Sequence, residues 1–327
     1  MKTPTAKTVA ILGTRYGNLA IEQQMLGPLG VQLVESPGQS EEEIVRAAAG
    51  AHVIVCGGAP KITAAVIRQL PELKAIVRAG IGVDSVALRE CTRRGIYVAN
   101  IPDYCVKEVA THALTLILTW ARKLPVARAN TQAGRWEVAP LKPLQSPGDL
   151  VLGILGFGRI AQSLSRMARA IGFKVWASDP YVSKTLFQKK GAQPVTLKRL
   201  IRGADFISLH LPLTAKTKHI INSGLLKEMK PTAYLINTAR GELIDETALR
   251  DALRTGKIAG AALDVMEHEP LGINNPLAAM PNVFITPHCA WYTERSQQEL
   301  RVKSCAEAIR VLRGRRPRNL VNKVVLR

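Results

Sequence analysis

A chain of 327 residues with 47% hydrophobic and 21% charged side chains has enough apolar material for two cores of ordinary size and is not a disordered polymer. Lys and Arg outnumber Asp and Glu by 45 to 25, a formal charge of +20 that admits nucleic acid, an anionic membrane or small acidic substrates. The basic residues are scattered, however, with denser groups only at Lys189-Lys190 and Arg313-Gly314-Arg315-Arg316-Pro317-Arg318; aromatics are 5%, and no aromatic–basic binding module occurs, so nucleic acid is not an expected partner.

The five cysteines, Cys56, Cys91, Cys105, Cys289 and Cys305, are odd in number and form no CxxC pair, which argues for a reducing compartment and against a disulfide framework or a structural metal. The stretch Met1 to Lys7 lacks a signal-peptide core. The apolar run Ala113 to Ala121 is too short for a membrane and is interrupted by Thr. A cytoplasmic protein with no membrane partner is expected.

In chain order, Val9–Leu12, Val31–Val34, Val53–Cys56, Ala75–Arg78 and Tyr97–Ala99 read as short strands, with helices at Glu41–Ala49, Ala64–Leu70 and Val86–Arg93 between them. Such alternation gives a parallel sheet covered on both faces. Gly13-Thr14-Arg15, after the first strand, is not a phosphate-binding pattern. The segment Val77 to Asp84 contains Gly80 and Gly82 just past a strand. It fits either a loop whose N–H groups hold a carboxylate or an ordinary turn with Asp84 as an N-cap. Ile101-Pro102 closes this unit. A long helix over Val106–Ala121 follows, then a helical stretch from Arg122 to Gly134 and a surface excursion with Pro140, Pro143 and Pro147.

The organising stretch is Leu152-Gly153-Ile154-Leu155-Gly156-Phe157-Gly158-Arg159-Ile160-Ala161. An apolar strand, Val151–Leu155, meets glycines and a helix-compatible pattern through Ile171. Such a turn lets backbone N–H groups and the positive end of a helix face a pyrophosphate. A second strand, Lys174–Ala177, ends in Ser178-Asp179-Pro180, placing a carboxylate roughly 20 residues past the glycines, where a ribose hydroxyl would lie. Pro180, Tyr181 and Val182 offer no cation to a 2′-phosphate, so NAD is expected over NADP. Further strands are predicted at Phe206–His210, Ala233–Asn237, Ala259–Leu263 and Val283–Ile285. The final helix, Thr293–Arg313, is expected to return to the first domain, giving two crossings, a hinge and a cleft.

The expected fold is therefore α/β, with two doubly wound parallel-sheet domains of Rossmann or flavodoxin type. Residues 1–101 and 292–327 would form a substrate domain and 102–291 an NAD-binding Rossmann domain. Three strand ends in the latter carry chemistry. Arg240 follows Asn237-Thr238-Ala239, Glu269 follows Asp264-Val265-Met266, and His288 follows Thr286-Pro287. Beside a nicotinamide these three suffice for carbonyl reduction. Arg240 would grip a carboxylate and polarise the carbonyl oxygen, His288 would protonate that oxygen, and Glu269 would orient the imidazole and favour its charged form. Singly, each has a structural alternative: an Arg in an ion pair, a surface acid before a turn proline, a satisfied histidine. Among the other histidines, His210 ends a strand beside the cofactor turn; His52, His112, His219 and His268 lack such context, and no metal-ligand spacing occurs.

These motifs resemble the D-isomer-specific 2-hydroxyacid dehydrogenases over nearly the full chain, on Val77–Asp84, Gly153–Ile160, Ser178-Asp179-Pro180-Tyr181, Asn237–Gly241 and Ala261–Val265. Pro287-His288-Cys289-Ala290-Trp291-Tyr292 and Asn319-Leu320-Val321-Asn322-Lys323 resemble most the branch of the C-terminal-binding-protein corepressors and their dehydrogenase-like relatives. The resemblance implies catalysis by Arg240, Glu269 and His288 and substrate binding by Arg78, Ile81, Gly82 and Trp291. It implies cofactor contacts from Val109, Leu155, Gly156, Phe157, Gly158, Arg159, Ile160, Asp179, Leu211, Pro212, Thr217, Thr238, Ala239, Arg240, Asp264, His288 and Ala290. It further implies NAD as cofactor, a small 2-oxo or 2-hydroxy acid as substrate and a homodimer built through the nucleotide-binding domains. Thr111 and Ala161 depart from common family residues without removing a catalytic group. The rival expectation is a corepressor-like protein that senses NADH with little turnover.

Overall fold

Short apolar runs buried on both faces alternate with helices that carry one apolar stripe, and this pattern produces parallel sheets sandwiched by helices. A computed structural model describes residues 7–14 and 16–326; the expectations for Met1 to Ala6 and for Arg15 lie outside the described residues. The chain divides into two units, Met1–Cys105 with Tyr292–Arg327, and Val106–Trp291.

In the first unit, β1 (Thr8–Leu12), α1 (Ala20–Leu26), β2 (Gln32–Ser36), α2 (Glu41–Ala47), β3 (Ala51–Cys56), α3 (Ala64–Arg68), β4 (Ala75–Arg78), α4 (Leu88–Arg93) and β5 (Tyr97–Asn100) follow one another. The strands form an all-parallel sheet of order β2-β1-β3-β4-β5, the flavodoxin-like order. Ser40 and Thr63 cap α2 and α3 by accepting the Glu43 and Val66 N–H groups. Several expected boundaries move by one or two residues, and two of these shifts have a visible local cause. The strand expected at Val31–Val34 occupies Gln32–Ser36, because β2 pairs along the whole of β1, from Thr8↔Gln32 to Leu12↔Ser36. The helix expected from Val86 starts at Leu88, because Val86 is held in a parallel bridge to Ile62.

The second unit comprises α5 (Val106–Ala121), α6 (Leu124–Gln132), β6 (Val151–Leu155), α7 (Arg159–Ala170), β7 (Lys174–Ser178), α8 (Lys184–Lys189), β8 (Gln193–Pro194), α9 (Leu197–Gly203), β9 (Phe206–Leu209), α10 (Ser223–Glu228), β10 (Tyr234–Asn237), α11 (Glu246–Arg254), β11 (Gly260–Leu263) and β12 (Val283–Ile285). Its seven-stranded parallel sheet has the order β12-β11-β10-β9-β6-β7-β8, so the direction of winding reverses between β6 and β9, as in a Rossmann fold. The two-residue β8, which no sequence run announces, sits at the sheet edge, where its proline costs no ladder bond. One face of the sheet packs against α5 and α7, with Trp120 stacked on Tyr234 at 5.0 Å between ring centres. The expected excursion before β6 contains two proline-started single turns, Ala139–Leu141 and Pro147–Asp149.

The last helix, α12 (Glu294–Leu312), starts in a capping box of Thr293 and Ser296 and packs on α1, β3 and β4 of the first unit. Its Arg301 makes a two-pronged, buried ion pair with Glu22 of α1, at 3.0 and 2.6 Å. No helix among the described residues is long and apolar enough to cross a membrane.

Beyond α12 the tail lies along β5: Leu320 bridges Ala99, the Asn322 side chain accepts the Val98 N–H at 2.8 Å, and it donates to the Ile96 carbonyl at 2.8 Å. Asn322 is buried, and it thereby closes the open edge of the first sheet. Replacing Asn322 by Ala leaves the Val98 N–H and the Ile96 carbonyl without this partner. Chemical denaturation is expected to show a loss of about 2–4 kcal/mol in the first unit's transition.

Candidate active site

In a parallel sheet every strand delivers its carboxyl end to the same edge, and in the second unit six neighbouring strands hand their loops to that edge. β6 leads to Gly156, β7 to Asp179, β9 to His210 and Leu211, β10 to Thr238–Arg240, β11 to Asp264, and β12 to Thr286–His288. Residues from position 155 to 290 are thereby gathered along one rim.

At its centre Gly156 adopts φ +86°, and a Cβ there would lie 2.5 Å from the His210 carbonyl oxygen, so only glycine lets β6 turn this close to β9. Gly158 caps α7 without a side-chain hydrogen bond to its first turn, and the space where its Cβ would stand is open. Asp179 ties the turn to β7: its Oδ2 accepts the Phe157 N–H and its Oδ1 the Tyr181 N–H, both at 2.9 Å. Phe157 is fully buried beneath the turn against Phe187, while Arg159 is exposed and Ile160 half-buried at the start of α7. Leu211 and Pro212 begin a loop in which the Thr217 hydroxyl donates to the Pro212 carbonyl at 2.6 Å. Val109 is buried in the first turns of α5.

The carbonyl-reduction candidates lie on the loops after β10, β11 and β12 of the same rim. Asn237, fully buried, folds the loop after β10: its Oδ1 accepts the Ala239 N–H at 3.0 Å and its Nδ2 donates to the Arg240 carbonyl at 2.7 Å. Arg240 then directs one guanidinium nitrogen onto the Ala239 carbonyl, 2.7 Å away. A Cβ on Gly241 would lie 1.9 Å from the Met266 carbonyl carbon, so the loops after β10 and β11 cross backbone on backbone. On the second of these loops Glu269 accepts the Met266 N–H at 3.1 Å through Oε1 and meets His288 Nδ1 at 2.7 Å through Oε2. Burial alone would raise the Glu269 carboxyl, but the His288 hydrogen bond and charge, the Met266 N–H and the Arg240 charge together hold it below the usual carboxylate range.

His288 itself sits at φ +52°, its N–H donating to the Asp264 carbonyl at 2.8 Å and its carbonyl accepting Trp291 Nε1 at 3.1 Å. With Nδ1 engaged by Glu269, Nε2 is the ring atom presented to a reactant.

A second polar cluster escaped the sequence. Asp264, 1% exposed, receives three donors: the Thr286 hydroxyl at 2.5 Å, the Cys289 N–H at 3.0 Å and the Ala290 N–H at 2.9 Å. His112 Nε2, from α5, stands 3.0 Å from the Thr286 hydroxyl. Ligand-type atoms of His112, Asp264 and Cys289 thus lie within 4.8 Å of one another, from positions too far apart in the chain for any spacing rule to find. Burial and the Asp264 charge push the Cys289 thiol up, so it acts there as a protonated hydrogen-bonding group rather than a thiolate.

In the first unit, Arg78 ends β4. Its guanidinium lies where side chains on Gly58 and Gly80 would be, 2.7 and 1.3 Å from their Cβ positions. Asn100 Nδ2 donates to the Ile81 carbonyl at 2.6 Å, and the Ile101 N–H to the Gly80 carbonyl at 2.9 Å, which fixes the Gly80–Gly82 loop. Asp84 does not cap α4, whose N-cap is Ala87.

Comparison with known proteins identifies the sheet and its rim. Residues 114–290 match the model of the D-isomer specific 2-hydroxyacid dehydrogenase, NAD binding domain. The chain is 40% identical over 286 residues to D-3-phosphoglycerate dehydrogenase of Methanocaldococcus jannaschii, covering 87% of this chain and 54% of that protein. It is 36% identical over 270 residues to glyoxylate reductase of Korarchaeum cryptofilum, covering 81% of each. The chain belongs to the D-isomer-specific 2-hydroxyacid dehydrogenase family. It spans about half the length of the phosphoglycerate dehydrogenases it matches. Among solved structures of the family, that of D-lactate dehydrogenase from Aquifex aeolicus complexed with NAD and lactic acid superposes with a TM-score of 0.84 at 29% identity, covering 94% of this chain and 96% of that one.

Residues 114–290 are thus the family's NAD-binding domain, and the rim fits a dinucleotide on its own terms. No non-neighbouring atom stands within 4 Å of where a Cβ on Gly158 would be, so the start of α7 is open there, as the approach of a diphosphate requires. The Thr238 hydroxyl, buried just past β10, has no hydrogen-bond partner among the described residues, as expected of a group that meets a ligand. His210 belongs to this rim too: its Nε2 is 2.9 Å from the Ser208 hydroxyl, and desolvation lowers its pKa from 6.5 to about 4. The imidazole is therefore neutral when folded, while the unfolded chain takes up a proton below about pH 6.5. Its contribution is complete above that pH and is lost as pH falls toward 4. Because His210 is half-buried rather than sealed, the expected loss is about 1–2 kcal/mol. Urea titrations between pH 7 and 4 should show it, and His210→Asn should flatten that slope.

Proposed function

We propose that this protein is an NAD-dependent oxidoreductase that interconverts a small D-2-hydroxy acid and its 2-oxo acid. The single observation that carries this reading is the 2.7 Å contact of His288 Nδ1 with Glu269, formed beside Arg240 on the rim of an NAD-binding sheet. The glyoxylate reductase and D-lactate dehydrogenase named above support it by their similarity to this chain. Residues 1–101 and 292–327 serve as the substrate domain and 102–291 as the nucleotide domain.

A nicotinamide held at this rim would supply the hydride to the substrate carbon in reduction and accept it in oxidation. Arg240 binds the carboxylate and stabilises the charge that builds on the neighbouring carbonyl oxygen, its planar fork suiting two-pronged contact. Nε2 of His288 delivers the proton to that oxygen in reduction and removes it in oxidation. Glu269 fixes the ring with Nδ1–H toward itself and stabilises the imidazolium. Arg78 and the Ile81 and Gly82 N–H groups bind the substrate carboxylate, and Trp291 walls the substrate side chain. The Asp179 carboxylate holds the adenosine ribose and repels a 2′-phosphate, so NAD is favoured over NADP. Leu155–Ile160 take the diphosphate, while Val109, Leu211, Pro212, Thr217, Thr238, Ala239, Asp264 and Ala290 line the rest of the dinucleotide.

A homodimer joined through the nucleotide domains and a cytoplasmic setting complete this reading. Within the family, Pro287–Tyr292 supports the C-terminal-binding-protein-like branch, whose corepressor members make dinucleotide sensing the second reading. That reading requires NADH-dependent association or partner binding that persists in His288→Ala.

NADH consumption across glyoxylate, hydroxypyruvate, pyruvate and longer 2-oxo acids is expected to reveal at least one substrate. With that substrate, His288→Ala is expected to lower kcat about 10²–10⁴-fold while NADH still binds. Binding of NADH without turnover of any 2-oxo acid, and an unaltered His288→Ala protein, would refute the assignment. Glu269→Gln removes the negative charge next to Nδ1. With the same substrate Glu269→Gln is expected to lower kcat while NADH still binds, because the ring loses the partner that orients it.

A further inference from the structure

We propose that His219, acting through Glu267, is a positioning residue for the Glu269–His288 pair; this rests on the dehydrogenase reading of that pair. Among the described residues, the non-glycine positions with positive φ are Lys123, His219 and His288. The two histidines share more than a backbone conformation. His219 Nε2 meets Glu267 Oε1 at 2.9 Å and His288 Nδ1 meets Glu269 Oε2 at 2.7 Å, so two histidine–glutamate pairs close on the two ends of one tripeptide, Glu267-His268-Glu269. A left-handed conformation at a residue with a side chain is unfavourable and persists only where its surroundings over-determine it.

His219 is over-determined by the loop that carries Arg240. Its N–H donates to the Glu242 carbonyl at 2.8 Å. Two residues on, Ile221 exchanges bonds with the same segment, its N–H to Leu243 and its carbonyl from the Asp245 N–H, both at 3.0 Å. Asp245 in turn caps α11, and Glu246, in the first turn of that helix, accepts the Glu267 N–H at 2.5 Å. Glu267 is therefore gripped twice, at its backbone by Glu246 and at its side chain by His219. Gly241 supports the same peptide from below, with Met266 and Glu267 backbone atoms where its Cβ would be.

Glu269 is an exposed residue, and its carboxylate leans back on the Met266 N–H of the same loop. The chain from Met266 to Glu269 thus transmits the grip on Glu267 to the oxygen that meets His288. The charged groups facing Glu267 are His219 and Glu246; those facing Glu269 are His288 and Arg240; His268 between them is exposed. Catalytic contacts are sensitive to displacements of about 1 Å, which can cost about 10²-fold.

The test compares His219→Ala with His219→Gln in the full chain. Both keep the backbone strain, but Gln retains a side-chain N–H donor for Glu267. Imidazole proton–nitrogen NMR of the protein without substrate reads the Nδ1–H resonance of His288 hydrogen-bonded to Glu269. Steady-state reduction of the substrate found in the panel is followed alongside. In His219→Ala the resonance should broaden or vanish, and kcat should fall about 10-fold with KM for NADH within twofold. His219→Gln should restore each most of the way. An unchanged His288 resonance in folded His219→Ala overturns the proposal. So does equal damage in the two variants, which marks His219 as merely structural. If the wild-type chain turns over no 2-oxo acid, the dehydrogenase reading fails by itself, and the NMR comparison still decides whether His219 holds the Glu269–His288 contact.

Discussion

The whole arrangement depends on a constraint of parallel sheets: their carboxyl ends face one way, and the loops that leave them have to find hydrogen-bond partners without the help of a neighbouring turn. In the second unit side chains meet this demand at three of the loops. Asp179 binds the turn after β6, Asn237 folds the loop after β10, and Asp264 gathers the chain after β12. Each of these carboxylates or amides is thereby committed to shaping a loop, and the loops in turn hold the groups that do chemistry.

The glycines work with that constraint. Gly156 and Gly241 are needed less for flexibility than for vacancy: in each case another backbone occupies the place of a side chain. Gly156 brings the strand ends of β6 and β9 together, and Gly241 brings the Arg240 loop under the Glu269 loop. Removing the vacancy at either place would separate parts of the rim that have to act within a few ångströms.

Much of this was legible in the residues. Alternating apolar runs placed both parallel sheets, and the run into Gly156 and Gly158 located the tight strand–helix turn that Asp179 ties down, because the turn's geometry restricts its residue types. Glu269 and His288 were readable as partners from their strand-end positions, and the fold sets the two side chains 2.7 Å apart. His112 and His219 carried no signal at all, since their meaning comes from contacts with Thr286 and Glu267 that lie 174 and 48 residues away. The ending Asn319–Lys323 reads in sequence as a family mark, and the structure gives it a mechanical reason, the closure of the β5 edge by Asn322.

The placement of α12 bears on how the chain comes into being. Residues up to Cys105 leave the ribosome first, yet the helix that covers β3 and β4 is made only after the entire second unit. Domains generally acquire structure as they emerge. Here the cover is split: α1 to α4 are made with their strands, whereas α12, which packs on β3 and β4, follows only after the Rossmann unit. During that interval the nascent first segment is the part of the molecule most in need of shelter from its neighbours.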